Sequence, residues 1–404
     1  MATSYLSPGV YVEEIDSGPL PIAAVGTSVA GFVGAAPNPE ALLDTAVAIN
    51  NWSQFARQYI REGDPGTDLA NAVYGFFLNG GSRCYVVNTR ADGPISGKGR
   101  GLDLLAPLDE IAIIAAPGRT DVASYTALLD AAELLKDRVA ILDAAPQSED
   151  VEPLIRPGSV APPPTPAAEG ETAPKPPRGQ KPGLRPRISD GGYGACYFPW
   201  IMVRDAVTDA QVPAPPSGHM AGIYARTDTE RGVHKAPANV TIRGALGVTQ
   251  MITRAEQDVL NPAGINCIRF FTREGVRVWG ARTLAPEASN WRYLNVRRLF
   301  NMIEESIAIS TRWVVFEPND EPLWKNIQRD VGAFLTLLWS QGALAGGRPE
   351  EAFFVKCDEE TNPPEVVDAG QVVAVIGIAP VKPAEFVIFR IGQSAAGATV
   401  EAAA

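Results

Sequence analysis

The sequence predicts an α/β fold built on a parallel sheet and followed by an α+β segment. Continuous apolar runs at 111–116 and 139–142 flank an amphipathic helical pattern, which marks a β-α-β unit whose sheet is covered on both faces. Two helical stripes follow, from Asn295 and after Asp320. The chain then ends in apolar runs at 372–378 and 385–391 that read as strands.

Taken in order, residues 8–15 read as a strand that starts at the Pro8-Gly9 breaker and is closed by Ser17-Gly18-Pro19, and a second strand is expected to run from Val25 to Val33. Ala72, Val73, Phe76 and Phe77 fall on one helix face, stopped by Asn79-Gly80-Gly81 before a strand at 84–87. The run at 111–116 ends at Pro117-Gly118, and Tyr125, Leu128, Leu129 and Leu135 mark the crossover helix. Residues 146–187 hold twelve of the chain's 35 prolines and no aromatic residue. Such a stretch buries too little apolar surface to offset its ordering entropy, so a mobile insert is expected there. A core strand at 201–203 resumes the fold.

The helix from Asn295 carries Val296, Leu299, Phe300, Ile303 and Ile307 on one stripe, with Arg297, Arg298, Glu304 and Glu305 off it. A strand is read at 313–316. Asp320 is a fitting N-cap, with Pro322 in the first turn, for a helix whose apolar face is Trp324, Ile327, Val331, Phe334, Leu335 and Leu338. Lys325, Gln328 and Arg329 lie on its other face.

Composition excludes several function classes. With 404 residues and 46% hydrophobic content the chain can bury a sizeable core, and its length predicts two or three domains. No early segment joins a basic stretch to an apolar one, and no run of about eighteen apolar residues occurs. Cytoplasmic synthesis without direct membrane insertion is therefore expected. The net charge of -11 and the lack of Lys/Arg clusters interleaved with aromatics argue against nucleic acid. Cys84, Cys196, Cys267 and Cys357 lie far apart and are read as reduced, mostly buried thiols.

No phosphate-binding glycine motif follows a predicted strand, and two distant histidines with scattered cysteines offer no metal-ligand pairs, so neither cofactor nor metal is expected. Gly26-Thr27-Ser28-Val29-Ala30 resembles the nucleophile motif of subtilisin-type proteases. The only histidines, His219 and His234, come far downstream, whereas that enzyme order places Asp and His before Ser. Ser28 is thus given a strand-turn role, no catalytic residue is assigned, and Asp109 and Asp143 are read as cap or turn carboxylates.

The two ends carry the functional signal. In the last run Phe386 and Ile388 face one side and Val387, Phe389 and Ile391 the other, so both faces are apolar. A strand of this kind must be paired, covered or used. It is either a central strand of the chain's own sheet or a strand added to a neighbouring chain. Val10, Tyr11, Val12 and Glu13 form a similar strand behind a Pro-Gly hinge, and two sticky ends suit an open, head-to-tail assembly.

Seven segments resemble the tail-sheath proteins of contractile phages and of related extracellular contractile injection systems. They are Pro8-Gly9-Val10-Tyr11-Val12-Glu13-Glu14, Arg231-Gly232-Val233-His234-Lys235-Ala236-Pro237-Ala238-Asn239 and Asn261-Pro262-Ala263-Gly264-Ile265-Asn266, followed by Val278-Trp279-Gly280-Ala281-Arg282-Thr283. Asn295-Val296-Arg297-Arg298-Leu299-Phe300, Phe316-Glu317-Pro318-Asn319 and Pro380-Val381-Lys382-Pro383-Ala384-Glu385-Phe386 complete the set. His234 departs from the pattern, where an aromatic is expected.

The resemblance implies a subtilisin-like α/β domain with a parallel sheet, a C-terminal α+β domain nearest an inner tube, and exchanged N- and C-terminal β-strand arms. The implied boundaries are an arm at 1–25, an α/β segment at 26–90, the subtilisin-like domain at 91–285 with its insert at 146–189, the C-terminal domain at 286–380, and an arm and tail at 381–404. It implies a homo-oligomer, a helical stack of hexameric rings around an inner tube protein, with baseplate and terminal cap proteins as further partners. Such a sheath assembles in the cytoplasm as part of a phage tail or tail-like particle.

The residues assigned to inter-subunit strand exchange are Val10, Tyr11, Val12, Glu13, Phe386, Val387, Ile388 and Phe389. Lys325 and Arg329 are candidates for contact with an acidic tube, set against a plain solvated helix face. The alternative of a different class is an α/β hydrolase of unrecognised specificity.

Overall fold

The computed structural model describes residues 21–91, 93–158 and 182–388. The first half of the fold runs β1 (Ala30–Gly34), β2 (Ala46–Ile49), α1 (Trp52–Tyr59), α2 (Asp68–Leu78) and β3 (Cys84–Asn88). A small hairpin, β4 (Ser96–Gly97) and β5 (Arg100–Gly101), precedes β6 (Ile113–Ala115), α3 (Val122–Leu135), β7 (Val139–Asp143) and the single turn α4 (Glu152–Ile155). Next come β8 (Gly194–Phe198), β9 (Ile201–Arg204), β10 (Gln211–Ala214) and α5 (Ser217–Arg231). After these follow β11 (Val240–Thr241), β12 (Gly247–Val248), α6 (Arg254–Leu260), β13 (Ile265–Phe271) and β14 (Gly275–Val278). The last part holds α7 (Leu294–Ser310), α8 (Glu321–Ser340), α9 (Pro349–Ala352), β15 (Phe353–Lys356), α10 (Pro364–Asp368) and β16 (Val375–Ile378).

A nine-stranded sheet in the order β11-β14-β13-β8-β7-β6-β1-β3-β2 forms the centre. From β13 to β3 every neighbour is parallel, while β2, β14 and β11 pair antiparallel at the two rims. Segments 26–90 and 91–285 both contribute strands, so they share one layer. The apolar runs are continuous because each face of the sheet meets its own core. Phe32, Val86, Ile141 and Tyr197 enter one cluster; Val33, Val87, Leu142 and Phe198 enter the other.

The helix α5 has no counterpart among the elements expected from sequence. It crosses α2 at backbone contact. A Cβ on Gly218 would sit 2.3 Å from Ala72 backbone atoms, and one on Gly222 would sit 2.4 Å from the Phe76 carbonyl oxygen. Hydrogen at these two positions is what lets the helices approach.

The third core lies between α7 and α8, where Leu299, Ile303, Trp324, Ile327, Val331, Phe334, Leu335 and Leu338 pack with Ile22 and Cys357. These are the stripes read from the sequence, and Asp320 caps α8 by accepting from Leu323 N–H at 3.1 Å. All four cysteines are free and buried.

Four expectations need correction. Residues 313–316 are no strand: 312–314 form a 3-10 turn, and Phe316 is fully exposed with φ 72°. Arg297 and Arg298, read as off the apolar stripe of α7, are nonetheless buried: Arg297 stacks over the Trp291 ring at 4.0 Å, and Arg298 pairs with Asp228. The stems of the Pro-rich insert are placed, since Gly158 N–H donates to the Arg185 carbonyl (2.9 Å), Arg185 N–H to Arg156 (3.0 Å) and Leu184 N–H to Pro153 (2.8 Å). Finally, 385–388 joins no ladder among the described residues, whereas within 372–378 the strand β16 pairs antiparallel with β15.

Candidate assembly interface

The C-terminal arm is fastened stepwise before it becomes free. Ala379 N–H donates to the Ala352 carbonyl at 2.8 Å, Pro380 bridges Leu344, and the Asn295 side chain donates to the Val381 carbonyl at 3.1 Å. Glu385 then enters a polar site at the edge of a groove. Arg282 grips it with Nε to Oε1 at 2.8 Å and Nη2 to Oε2 at 2.7 Å, Asn261 donates at 2.8 Å, and the Tyr293 hydroxyl at 3.3 Å. Burial opposes the Glu385 carboxylate, yet the hydrogen bonds from Arg282 and Asn261 outweigh it and hold its pKa below the ordinary range.

Immediately beyond this grip Phe386, Val387 and Ile388 are 71%, 69% and 80% exposed. Three large apolar side chains in a row, with no backbone hydrogen bond among the described residues, form the kind of edge that strand addition covers. A groove of about 900 Å³ opens beside them, lined by Arg254, Arg269, Trp279, Arg292 and Val387 among others. Phe389 lies outside the described residues.

The N-terminal arm is tied down in a parallel way. Ile22 is buried in the α7–α8 core, Val25 N–H donates to Ser306 Oγ at 3.0 Å, and Thr27 Oγ1 donates to Asp228 at 2.5 Å. Arg298 bridges the Thr27 carbonyl (3.0 Å) and the Asp228 carboxylate (2.9 and 2.5 Å), its side chain 3% exposed. Val10, Tyr11, Val12 and Glu13 lie outside the described residues.

Lys325 and Arg329 sit on the exposed face of α8, the first paired with Glu321 at 2.6 Å and the second with Asp330 at 2.9 Å. Asp143, at the end of β7, accepts from Ser217 N–H (2.8 Å), Ser217 Oγ (2.7 Å) and Gly118 N–H (3.2 Å). Its carboxylate thus holds the first turn of α5. Burial pushes its pKa up to about 7 against these hydrogen bonds. His219, buried in α5, has no partner for Nδ1, so neither Ser28 nor Ser217 has a histidine hydrogen-bonded to it among the described residues. Asp109 lies far from any such arrangement, within 3.8 Å of Arg312. Among the described residues no group of three His, Cys, Asp or Glu is placed to hold a metal, and no helix is long and apolar enough to cross a membrane.

Residues 189–284 match the family profile described as the phage tail sheath protein central domain, and residues 287–394 the one described as the phage tail sheath C-terminal domain. A chain of the extracellular contractile injection system PVC sheath complex in contracted state superposes with a TM-score of 0.75 at 30% identity, covering 98% of this chain and 99% of that one. The chain belongs to the contractile tail-sheath family. The anti-feeding prophage helical sheath in contracted state aligns with a TM-score of 0.73 at 32% identity, covering 96% and 99% of the two chains. The tail sheath protein of Vibrio phage KVP40 is 30% identical over 203 residues, 50% of this chain and 28% of that protein. A putative prophage major tail sheath protein of Pseudomonas aeruginosa is 30% identical over 199 residues, 48% of this chain and 49% of that protein. This sheath-family chain therefore spans about a quarter to a half of the length of these curated relatives.

The sequence reading missed the two anchoring pairs, Arg282–Glu385 and Arg298–Asp228. A signal existed: Arg282 stands next to Ala281 within an apolar motif, and Arg298 lies one residue before the core-facing Leu299. A charge embedded in an apolar segment requires a buried partner. Sequence spacing does not say which carboxylate, 103 or 70 residues away, supplies it.

Proposed function

We propose that this chain is the repeating subunit of a contractile sheath, which polymerises helically around an inner tube and contracts to drive that tube through a target envelope. The observation that carries this reading is the C-terminal arm, fixed at Glu385 and then presenting Phe386, Val387 and Ile388 to solvent. In the assembly these residues and Phe389 pair with strands of a neighbouring copy, and Val10, Tyr11, Val12 and Glu13 pair likewise at the other end. The near-full-length likeness to two contracted sheaths supports it.

On this reading the parallel-sheet body is the subtilisin-like domain, residues 286–380 form the part nearest the tube, and the rings are hexameric. The partners are the tube, the baseplate and a terminal cap protein, in a particle of the phage-tail type assembled in the cytoplasm. The extended sheath is metastable. Contraction releases free energy as inter-subunit surfaces re-form while the strand links persist, and no nucleotide enters that step. Lys325 and Arg329 face the tube, where complementary charge sets register without large burial.

Electron microscopy of the purified full chain tests the reading. Helical tubes are expected, and they are expected to vanish when residues 1–15 are deleted. A chain that stays monomeric at every concentration while hydrolysing an ester through Ser28 would sink it in favour of an enzyme.

A further inference from the structure

If the arms do link neighbouring copies, any pull on the linked strand must enter the body of its own subunit somewhere. We propose that this point is the Arg282–Glu385 pair, which acts as the mechanical anchor of the C-terminal arm; the proposal rests on the strand-exchange reading above.

Glu385 is the last described residue of the arm with a side-chain tie to the body, and three exposed residues follow it directly. It accepts four hydrogen bonds from three separate stretches of chain: two from Arg282, one from Asn261 and one from Tyr293. The grip continues inward. Arg282 Nη1 donates to the Asn261 carbonyl at 3.0 Å, and the Arg282 backbone is locked to fully buried Asn266 by N–H to Oδ1 at 2.7 Å and Nδ2 to carbonyl at 2.8 Å. Asn266 belongs to β13, which is paired parallel to β8 inside the nine-stranded sheet. A continuous polar path therefore joins the arm to the central nine-stranded sheet.

The chemistry suits an anchor. A bidentate guanidinium–carboxylate pair fixes direction as well as distance, and the Arg282 side chain is only 3% exposed, while Glu385, at the edge of the groove, is 20% exposed. The other attachment of the arm, through the 379–381 backbone, has four bonds, of which the one from Val381 N–H is 3.4 Å long, and it ends four residues before Glu385. Three chain segments far apart in sequence, around Asn261, Arg282 and Glu385, meet at this one site.

The test uses full-length chains carrying Glu385→Gln, which keeps the shape but removes the charge, and Asn261→Ala, which removes one donor and leaves the ion pair. Thermal unfolding of the unassembled subunits establishes that each variant folds. Assembled tubes are then sheared under fixed conditions and their lengths measured by electron microscopy. Glu385→Gln tubes are expected to break to less than a third of the parental mean length, with Asn261→Ala intermediate, and hydrogen exchange at 379–388 is expected to rise at least tenfold in Glu385→Gln. Glu385→Gln tubes that keep parental length under shear overturn the anchor alone. Tubes of parental length and toughness from a chain lacking 386–404 overturn the strand-exchange reading, and the anchor with it.

Discussion

At the scale of single residues, His219 shows what burial costs in this fold. Its ring packs against Gly75 where α5 crosses α2, so closely that a Cβ on that glycine would lie 2.3 Å from the imidazole, and Nδ1 finds no partner. Burial lowers its pKa to about 4 from 6.5. Because the folded pKa is the lower of the two, the unfolded chain binds the proton first as pH falls. Stability from this residue is complete above about pH 6.5 and is lost as pH drops towards 4. The loss amounts to about 3 kcal/mol. Asp143, raised to about 7, and Asp68, raised to about 6, act in the opposite sense, since their folded forms favour the proton and lose stability as pH rises. The histidine contribution is therefore isolated by comparison: urea unfolding of the parent and of His219→Gln should show the parent losing about 3 kcal/mol relative to the variant between pH 7 and 4.

At the scale of elements, glycines with different surroundings predict opposite effects of one methyl group. In α8 nothing lies within 4 Å of a Cβ built on Gly332, so Gly332→Ala should stabilise the chain by about 1 kcal/mol through helix propensity. In α5 the same change at Gly218 drives the methyl into the Ala72 backbone, and overpacking should cost about 1–3 kcal/mol net of any propensity gain. Chemical denaturation of both variants checks the contrast, and equal effects would contradict the packing described for α2 and α5.

The same elements show which parts were legible in the sequence. The strands β3, β6 and β7, helix α3 and the faces of α7 and α8 were readable because their apolar periodicity records burial directly. Helix α5 was hidden by Pro213, Pro215, Pro216, Gly218 and Gly222, which punctuate a sequence as a loop does. In the fold Pro216 is the residue before the helix and the glycines are its contact surface. The stretch 313–316 misled in the other direction. Four apolar residues suggested a strand, but only Trp313 and Val314 pack on the core, while Val315 and Phe316 turn outward. The anchoring ion pairs were invisible because long-range pairing leaves no period.

At the scale of the whole molecule, one sheet body and one helical core are stitched together by ion pairs that also hold the two arms. On the proposed reading this arrangement separates cohesion between copies, through the arms, from recognition of the tube, through the face of α8. Reversing charge with Lys325→Glu and Arg329→Glu should leave tubes of the chain alone unaffected. It should slow assembly on the inner tube several-fold at low salt, with the difference shrinking as ionic strength rises. Assembly rates followed by light scattering at two salt concentrations provide the check, and equal rates at low salt would remove both residues from the tube contact.

The pinned neck of the Pro-rich stretch has a consequence for how such a chain can change. Because Gly158 N–H donates to the Arg185 carbonyl, the two stems of this stretch are held together where they meet the body. Doubling the length of a loop closed in this way adds only about 0.6 kcal/mol of closure entropy. A neck closed in this way can therefore carry insertions of very different size at little cost to the fold that holds it.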